Sequence, residues 1–172
     1  MVVKKKHRII LVCGLPGSGK SFFASRLAEK LGAEYVNSDR VRRQLFPERS
    51  YSEIEKATVY GALLGKMEEA INKKSHLVLD ATFHKSSTRK PFLSKANDNI
   101  FFIEVQADEA IIKERLKKDR PYSEADYRVY ELIKKEWEPL APPYLILQST
   151  NDNIDLMLQK ALQYLKNDTR TD

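Results

Sequence analysis

Gly14, Gly17 and Gly19 alternate with Leu15, Pro16 and Ser18 and run directly into Lys20 and Ser21. The spacing is G-x-x-x-x-G-K-[ST]. Glycine lets the backbone turn inward, so that several N–H groups point at one anion. A helix starting at the end of the loop adds its positive end to the same place. Lys20 then reaches the outer phosphates as a mobile point charge. The Ser21 hydroxyl is a ligand for magnesium, which takes few protein ligands and keeps several waters. The chemistry implied is the binding of ATP or a close relative with Mg2+. The bland alternative is a glycine-rich turn that happens to precede a helix. An apolar strand before the loop and a helical pattern after it argue against that alternative.

Asn37-Ser38-Asp39-Arg40-Val41-Arg42-Arg43 carries the second group of interest. Asp39 and Arg42 are three apart and share a face if a helix begins there. A carboxylate facing a terminal phosphate orients an acceptor hydroxyl and takes its proton. An arginine beside it grips an acidic group of the acceptor in a forked contact. The competing reading has Ser38 or Asp39 capping a short helix, with the arginines solvated. Spacing alone leaves both open. Asp80 stands at the end of an apolar strand, where its carboxylate can cap the strand end on backbone N–H groups. His7, His76 and His84 lack metal-ligand spacing, so no zinc site is assigned.

These residues need a scaffold that brings them together. Ile9 to Cys13 is a continuous apolar run, as in a strand buried on both faces. Ala24, Leu27, Ala28 and Leu31 recur at helical spacing, and Gly32 stops that helix. Tyr35-Val36, Leu77 to Leu79, Ile100 to Val105 and Tyr144 to Leu147 supply four more strands. Between them the pattern predicts a short helix over Arg40 to Phe46 and a long one from a Ser52/Glu55 capping box to about Lys74. Gly61 and Gly65 in that long helix weaken the helical pattern and allow close packing or backbone approach. Further helices are predicted over Ser86 to Ala96, Ala110 to Lys118 behind an Asp108 cap, Ser123 to Trp137, and a last one striped by Ile154, Leu158, Ala161, Leu162 and Leu165. Strands alternating with helices imply a parallel sheet covered on both faces, with ligands beyond the carboxyl ends of the strands.

The chain has 172 residues, 30 Lys and Arg against 24 Asp and Glu, and a formal charge of +6. That length fits one domain with a sizeable core. The charge favours anionic partners and equally fits a surface kept soluble. No apolar run is long enough to span a bilayer, no signal-peptide core follows the basic start, and the protein is read as cytoplasmic. The single cysteine, Cys13, excludes an internal disulfide and reads as a buried, inert thiol. Trp137, Tyr127 and Tyr130 read as packing.

The glycine loop, Asn37 to Arg42, and Val78-Leu79-Asp80-Ala81-Thr82 with Arg89-Lys90-Pro91 together resemble the kinase domain of polynucleotide 5′-kinases, over roughly residues 8 to 150. The same layout recurs in other small P-loop kinases and in zeta-toxin-like sugar-nucleotide kinases. The resemblance implies an α/β P-loop NTPase three-layer sandwich: a five-stranded, mostly parallel sheet, helices on both faces, and a small helical lid at about 115–126. Residues 1–172 would form one kinase domain with a frayed tail at about 167–172. It implies that Asp39 is the general base, that Arg42 contacts the phosphate next to the hydroxyl, and that Asp80 sits near magnesium through water, with Thr82 and Arg89 close by. Arg115 fits a lid arginine that closes on the phosphates. The family's next lid arginine falls four residues later, where this chain has Asp119, and Arg120 stands one further on. Both also fit a basic helix end favoured by the dipole. Tyr122 is a candidate for stacking on adenine. The expected reaction is transfer from a nucleoside triphosphate to a hydroxyl, foremost the 5′-hydroxyl of DNA or RNA. A sugar, nucleoside or antibiotic hydroxyl, or a nucleotide-driven ATPase switch, are the alternatives. A compact chain with a candidate base and a water-excluding lid favours transfer over a switch.

Overall fold

The computed structural model describes residues 7–168 apart from 98, 121, 122 and 142. Five strands form one sheet in the order β2-β3-β1-β4-β5: β1 Ile9–Cys13, β2 Glu34–Asn37, β3 Leu77–Asp80, β4 Ile100–Ala107 and β5 Leu145–Ser149. Every neighbouring pair is parallel, so the sheet is wholly rather than mostly parallel. The helices are α1 Lys20–Leu31, α2 Ser38–Leu45, α3 Glu53–Lys73, α4 Ser86–Lys95, α5 Glu109–Leu116, α6 Tyr127–Glu136 and α7 Ile154–Lys166. This is the expected α/β three-layer sandwich.

The central strand shows why. All five residues of β1 are buried, and successive side chains leave a strand on opposite faces. Ile9, Leu11 and Cys13 join Leu63, Met67, Phe83 and Phe92 on the face covered by α3 and α4. Ile10 and Val12 join Phe23, Leu27, Met157 and Leu165 on the face covered by α1 and α7. Because all strands run the same way, the ends of β1, β2, β3 and β5 open on one edge, and the polar motifs collect there.

Several boundaries differ from expectation. Helix α2 starts at Ser38, and Asn37 rather than Ser38 or Asp39 caps it, its side chain accepting from Arg40 N. The Ser52 half of the capping box forms, with Ser52 accepting from Glu55 N. The reciprocal half does not, because the Glu55 carboxylate turns to Ser50 and Arg42. Asp108 leads α5 without a side-chain cap and accepts from Gln148 instead. Helix α6 begins only at Tyr127, because Asp126 caps it by accepting from Val129 N. Of the lid expected to be helical, Arg115 and Leu116 end α5, and the described residues between α5 and α6 form an irregular arm in which Arg120 and Ser123 pair in an isolated bridge. A Cβ at Gly61 or Gly65 would meet nothing within 4 Å, so neither glycine marks close packing. Tyr127 stacks on buried Tyr130, and Trp137 packs on the core, as packing residues do. Among the described residues no helix is long and apolar enough to cross a membrane. Tyr122 and residues 169–172 of the expected tail lie outside the described residues.

Candidate active site

Gly14 to Ser21 join the end of β1 to the start of α1. A Cβ on Gly14 would lie 2.6 Å from the Val105 carbonyl oxygen and 2.7 Å from Ser18 Oγ. Gly19 has φ of +93°, and a Cβ there would meet Ser149 Oγ at 2.7 Å. Only glycine fits both places. The loop is closed by Ser18 N donating to the Leu15 carbonyl at 3.1 Å. The first turn of α1 has no carbonyl within the helix for its N–H groups, which makes it an anion seat.

Lys20 and Ser21 line a cavity of about 740 Å³ together with Tyr35, Asn37, Asp39 and Arg40 on one side and Ser149, Thr150, Asn151 and Asn153 on the other. Lys118, Asp119, Arg120 and Ser123 of the lid arm complete it. The volume sits within the range of about 300–1,000 Å³ usual for small-molecule sites. Asp39 is half-buried, and burial pushes its carboxyl above the ordinary carboxylate value, with Lys20, Arg42 and Arg120 pulling it back down and Asp80 adding to the rise. A carboxylate moved in that direction is a better proton acceptor.

Asp80 is wholly buried. Its Oδ2 accepts from the Tyr35 hydroxyl at 2.6 Å and from Asn37 Nδ2 at 2.7 Å, so side chains satisfy it and not the backbone N–H groups of a capped strand end. Its Oδ1 is buried with no partner among the described residues. Burial, and then the charge and contact of Asp80, push the Tyr35 phenol well above its usual value. Asn37 Nδ2 lies 2.7 Å from Asp80 Oδ2 and 3.4 Å from Ser21 Oγ, and a carboxylate with one orphaned oxygen near a serine hydroxyl is the kind of hard-oxygen donor set that fits magnesium. The glycine cradle, which a side chain would fill, fits phosphate.

The two lid arginines differ. Arg115 is docked, donating to the carbonyl of Gly17 at 3.1 Å, to Ser149 Oγ at 3.2 Å, to the Thr150 carbonyl at 3.0 Å and to Asn151 Oδ1 at 3.3 Å. It thus ties the phosphate loop to the loop after β5. Arg120 donates to Ser123 Oγ and to the Ala125 carbonyl, and its charge acts on Asp39.

Arg42 departs from the sequence reading. It is 8% exposed, pairs with Glu55 at 2.9 Å and lies 4.7 Å from the Tyr51 ring. It is absent from the cavity wall. The reason is competition: burial pushes the Glu55 carboxyl up, but hydrogen bonds from Ser50 and Arg42 outweigh that and bring it down to about 2. A carboxylate that strongly ionised holds the guanidinium. Arg89 is likewise buried, donating to the carbonyls of Glu138, Pro139 and Lys85. Thr82 does touch the site, its carbonyl accepting from Gly14 N at 3.4 Å. The Cys13 thiol is buried, and burial pushes it far above the range in which it would react. Sequence reasoning passed over Tyr35 and Asn37. The one signal available was an asparagine just before a helix start.

Residues 9–140 match the AAA domain family. The chain belongs to that family. It is 33% identical to a UPF0200 protein of Aeropyrum pernix, over 72% of this chain and 71% of that protein. It is 26% identical to a probable thymidylate kinase of Methanococcus vannielii, over 78% of each. Its fold matches that of the APS kinase of Mycobacterium tuberculosis, solved with AMPPNP and APS, at a TM-score of 0.71 and 22% identity, over 94% of this chain and 99% of that one. The fold is that of a small P-loop kinase.

Proposed function

We propose that this protein is a nucleotide-dependent kinase that moves the terminal phosphoryl group of ATP to the hydroxyl of a small acceptor. The observation that carries this reading is Asp39 on one cavity wall with Lys20 and Arg120, its carboxyl raised by burial. In the reaction the acceptor oxygen attacks the γ-phosphorus and the bond to the β,γ-bridging oxygen breaks. The acceptor proton passes to the Asp39 carboxylate. The backbone of Gly14 to Ser21 and Lys20 hold the phosphates, and Arg120 neutralises charge on the transferred group. Ser21 and Asp80 Oδ1 would hold Mg2+, which supplies charge neutralisation across the phosphate oxygens when bound. Arg115 braces the phosphate loop.

Three structural features support a small acceptor over a nucleic-acid strand. The cavity must hold the nucleotide as well as the acceptor within about 740 Å³. Lid residue Glu124 binds Arg49, Tyr51 and Arg43, a contact that ties the lid arm to α2 and the segment after it rather than leaving an open groove for a strand. Arg42, the expected phosphodiester anchor, is committed to Glu55. The names of the relatives point the same way, since thymidylate and APS are small molecules.

The test offers sugars, nucleosides and nucleoside monophosphates beside 5′-hydroxyl DNA and RNA oligonucleotides, with γ-labelled ATP at low and high salt. Label is expected on a small molecule. Label on a strand, weakening steeply with salt as counterions are released, would restore the nucleic-acid acceptor and overturn the small one.

A further inference from the structure

Strand β2 lies beside β3 with Asn37 directly opposite Asp80. The Asn37 amide is used at both ends. Its Oδ1 accepts from Arg40 N at 3.0 Å and so starts α2, the helix that carries Asp39. Its Nδ2 donates to Asp80 Oδ2 at 2.7 Å, and Ser21 Oγ lies 3.4 Å from the same nitrogen. The chemistry allows one orientation of the amide: a backbone N–H faces one end and a carboxylate faces the other. Tyr35, two residues earlier on the same strand, places its hydroxyl 2.6 Å from the same Oδ2. Two donors thus occupy one oxygen of Asp80 and leave Oδ1 as the oxygen without a partner.

We infer that Asn37 is a positioning residue that sets the free oxygen of Asp80 and the Asp39-bearing turn in one register, with Tyr35 as its second donor. Asn37 has both ends of its amide committed within the protein, to Asp80 and to Arg40 N, on the wall of the cavity. It acts through Asp80 on the metal side and through the first turn of α2 on the acceptor side. The inference rests on the kinase reading above. The general expectation is that residues orienting a metal ligand cost 10–100-fold in metal affinity or activity when removed.

Asn37→Ser separates the two ends, because serine is a good helix cap yet has no amide to donate to Asp80. Affinity for a non-hydrolysable ATP analogue is measured with and without Mg2+, on wild type, Asn37→Ser and Tyr35→Phe. The expected result is an unchanged metal-free affinity, with the gain on adding Mg2+ reduced about tenfold or more in Asn37→Ser. Turnover should recover as magnesium is raised, which a merely structural defect would not do, and acceptor KM should stay put. Tyr35→Phe should shift the Mg2+ dependence the same way by a smaller factor. If both variants keep the wild-type Mg2+ dependence, the positioning role is wrong and the kinase reading stands. Loss of metal-free affinity in both makes the pair structural and overturns the role. If wild type itself gains nothing from Mg2+, the kinase reading fails and takes this inference with it.

Discussion

On the donor side of the cavity, consecutive residues Gly14 to Ser21 do nearly everything, using backbone N–H groups and one lysine. On the acceptor side, Asp39 and Arg40 come from the first turn of α2 and Arg120 from the lid arm. The first arrangement is written in the covalent chain. A glycine at Gly14 or Gly19 is demanded by close approach and by φ, whatever surrounds it. The second depends on which side chain wins each partner. Arg42 has the right spacing from Asp39, yet Glu55 takes it. Local backbone geometry is therefore a firmer guide to this site than the spacing of charged side chains.

The largest effect should come from the contiguous half. Lys20→Ala removes the only side-chain cation of the loop itself and should lower kcat by about 10³-fold or more. Lys20 is partly exposed at the cavity and supports no core, so circular dichroism should be unchanged. Near wild-type turnover with normal Mg2+ dependence would contradict the assignment of the loop.

Asp39→Asn tests the assembled half. It keeps the shape, removes the proton acceptor, and should lower kcat by about 10²- to 10⁴-fold with little change in ATP affinity. The pH profile adds a second readout. Burial raises the Asp39 pKa, so the base is protonated and turnover lost as pH falls through a value above the ordinary 3.9 or so for aspartate. That acid limb should vanish from the residual rate of Asp39→Asn. Reduced nucleotide affinity with intact transfer would instead make Asp39 a structural or metal-side group.

The lid arginines carry the comparison into one short segment. Arg120→Ala should reduce kcat by about 10²-fold, because its charge acts at Asp39 and the cavity. Arg115→Ala should act mainly on nucleotide KM and on thermal stability, because it braces Gly17 and the loop after β5. Equal kcat losses with unchanged KM in both would mean that Arg115 leaves its four acceptors to meet the phosphates.

The fold was legible because its signals are periodic. Alternate residues of β1 go to opposite cores, and Gly32 closes α1 in the left-handed region with its N–H on Ala28 and Glu29. The phosphate loop was legible for the same reason, as a local pattern. What could not be read was choice among equivalent partners. Nothing in the spacing of Ser52 and Glu55 says that the carboxylate will leave its own helix start for Ser50 and Arg42. Nor does Asn37 announce that its far end meets Asp80, because that contact exists only once β2 lies beside β3. The expected start of α6 at Ser123 falls short because Ser123 and Asp126 are both acceptable caps, and only Asp126 is used.

Breaking the buried pair tests that choice directly. Arg42→Ala leaves Glu55 ionised without its guanidinium and should lower the melting temperature by roughly 5–10 °C. Its effect on acceptor KM should be small, because Arg42 does not line the cavity. A large rise in acceptor KM with an unchanged melting temperature would return Arg42 to the acceptor side.

The smallest effect belongs to Glu124, the lid residue that reaches Arg49, Tyr51 and Arg43. Hydrogen bonds from Arg49 and Tyr51 bring its carboxyl down to about 2. A carboxyl lowered on folding stabilises the native state above its unfolded value, near 4.3 for glutamate, and that contribution is lost as pH falls towards 2. The cluster is partly exposed, with Arg43 at 39% and Glu124 at 35%, so water and salt screen most of it. Glu124→Gln should therefore leave the melting temperature at pH 7 within about 2 °C of wild type and flatten its decline between pH 5 and pH 3. The function of the contact lies in closure. Freeing the lid arm should raise ATP hydrolysis in the absence of acceptor a few-fold, because water then reaches the phosphates, with transfer to the acceptor falling in proportion. An unchanged ratio of hydrolysis to transfer would mean that the lid arm excludes water without this tie, and that the acceptor side is closed by Arg120 and Ser123 alone.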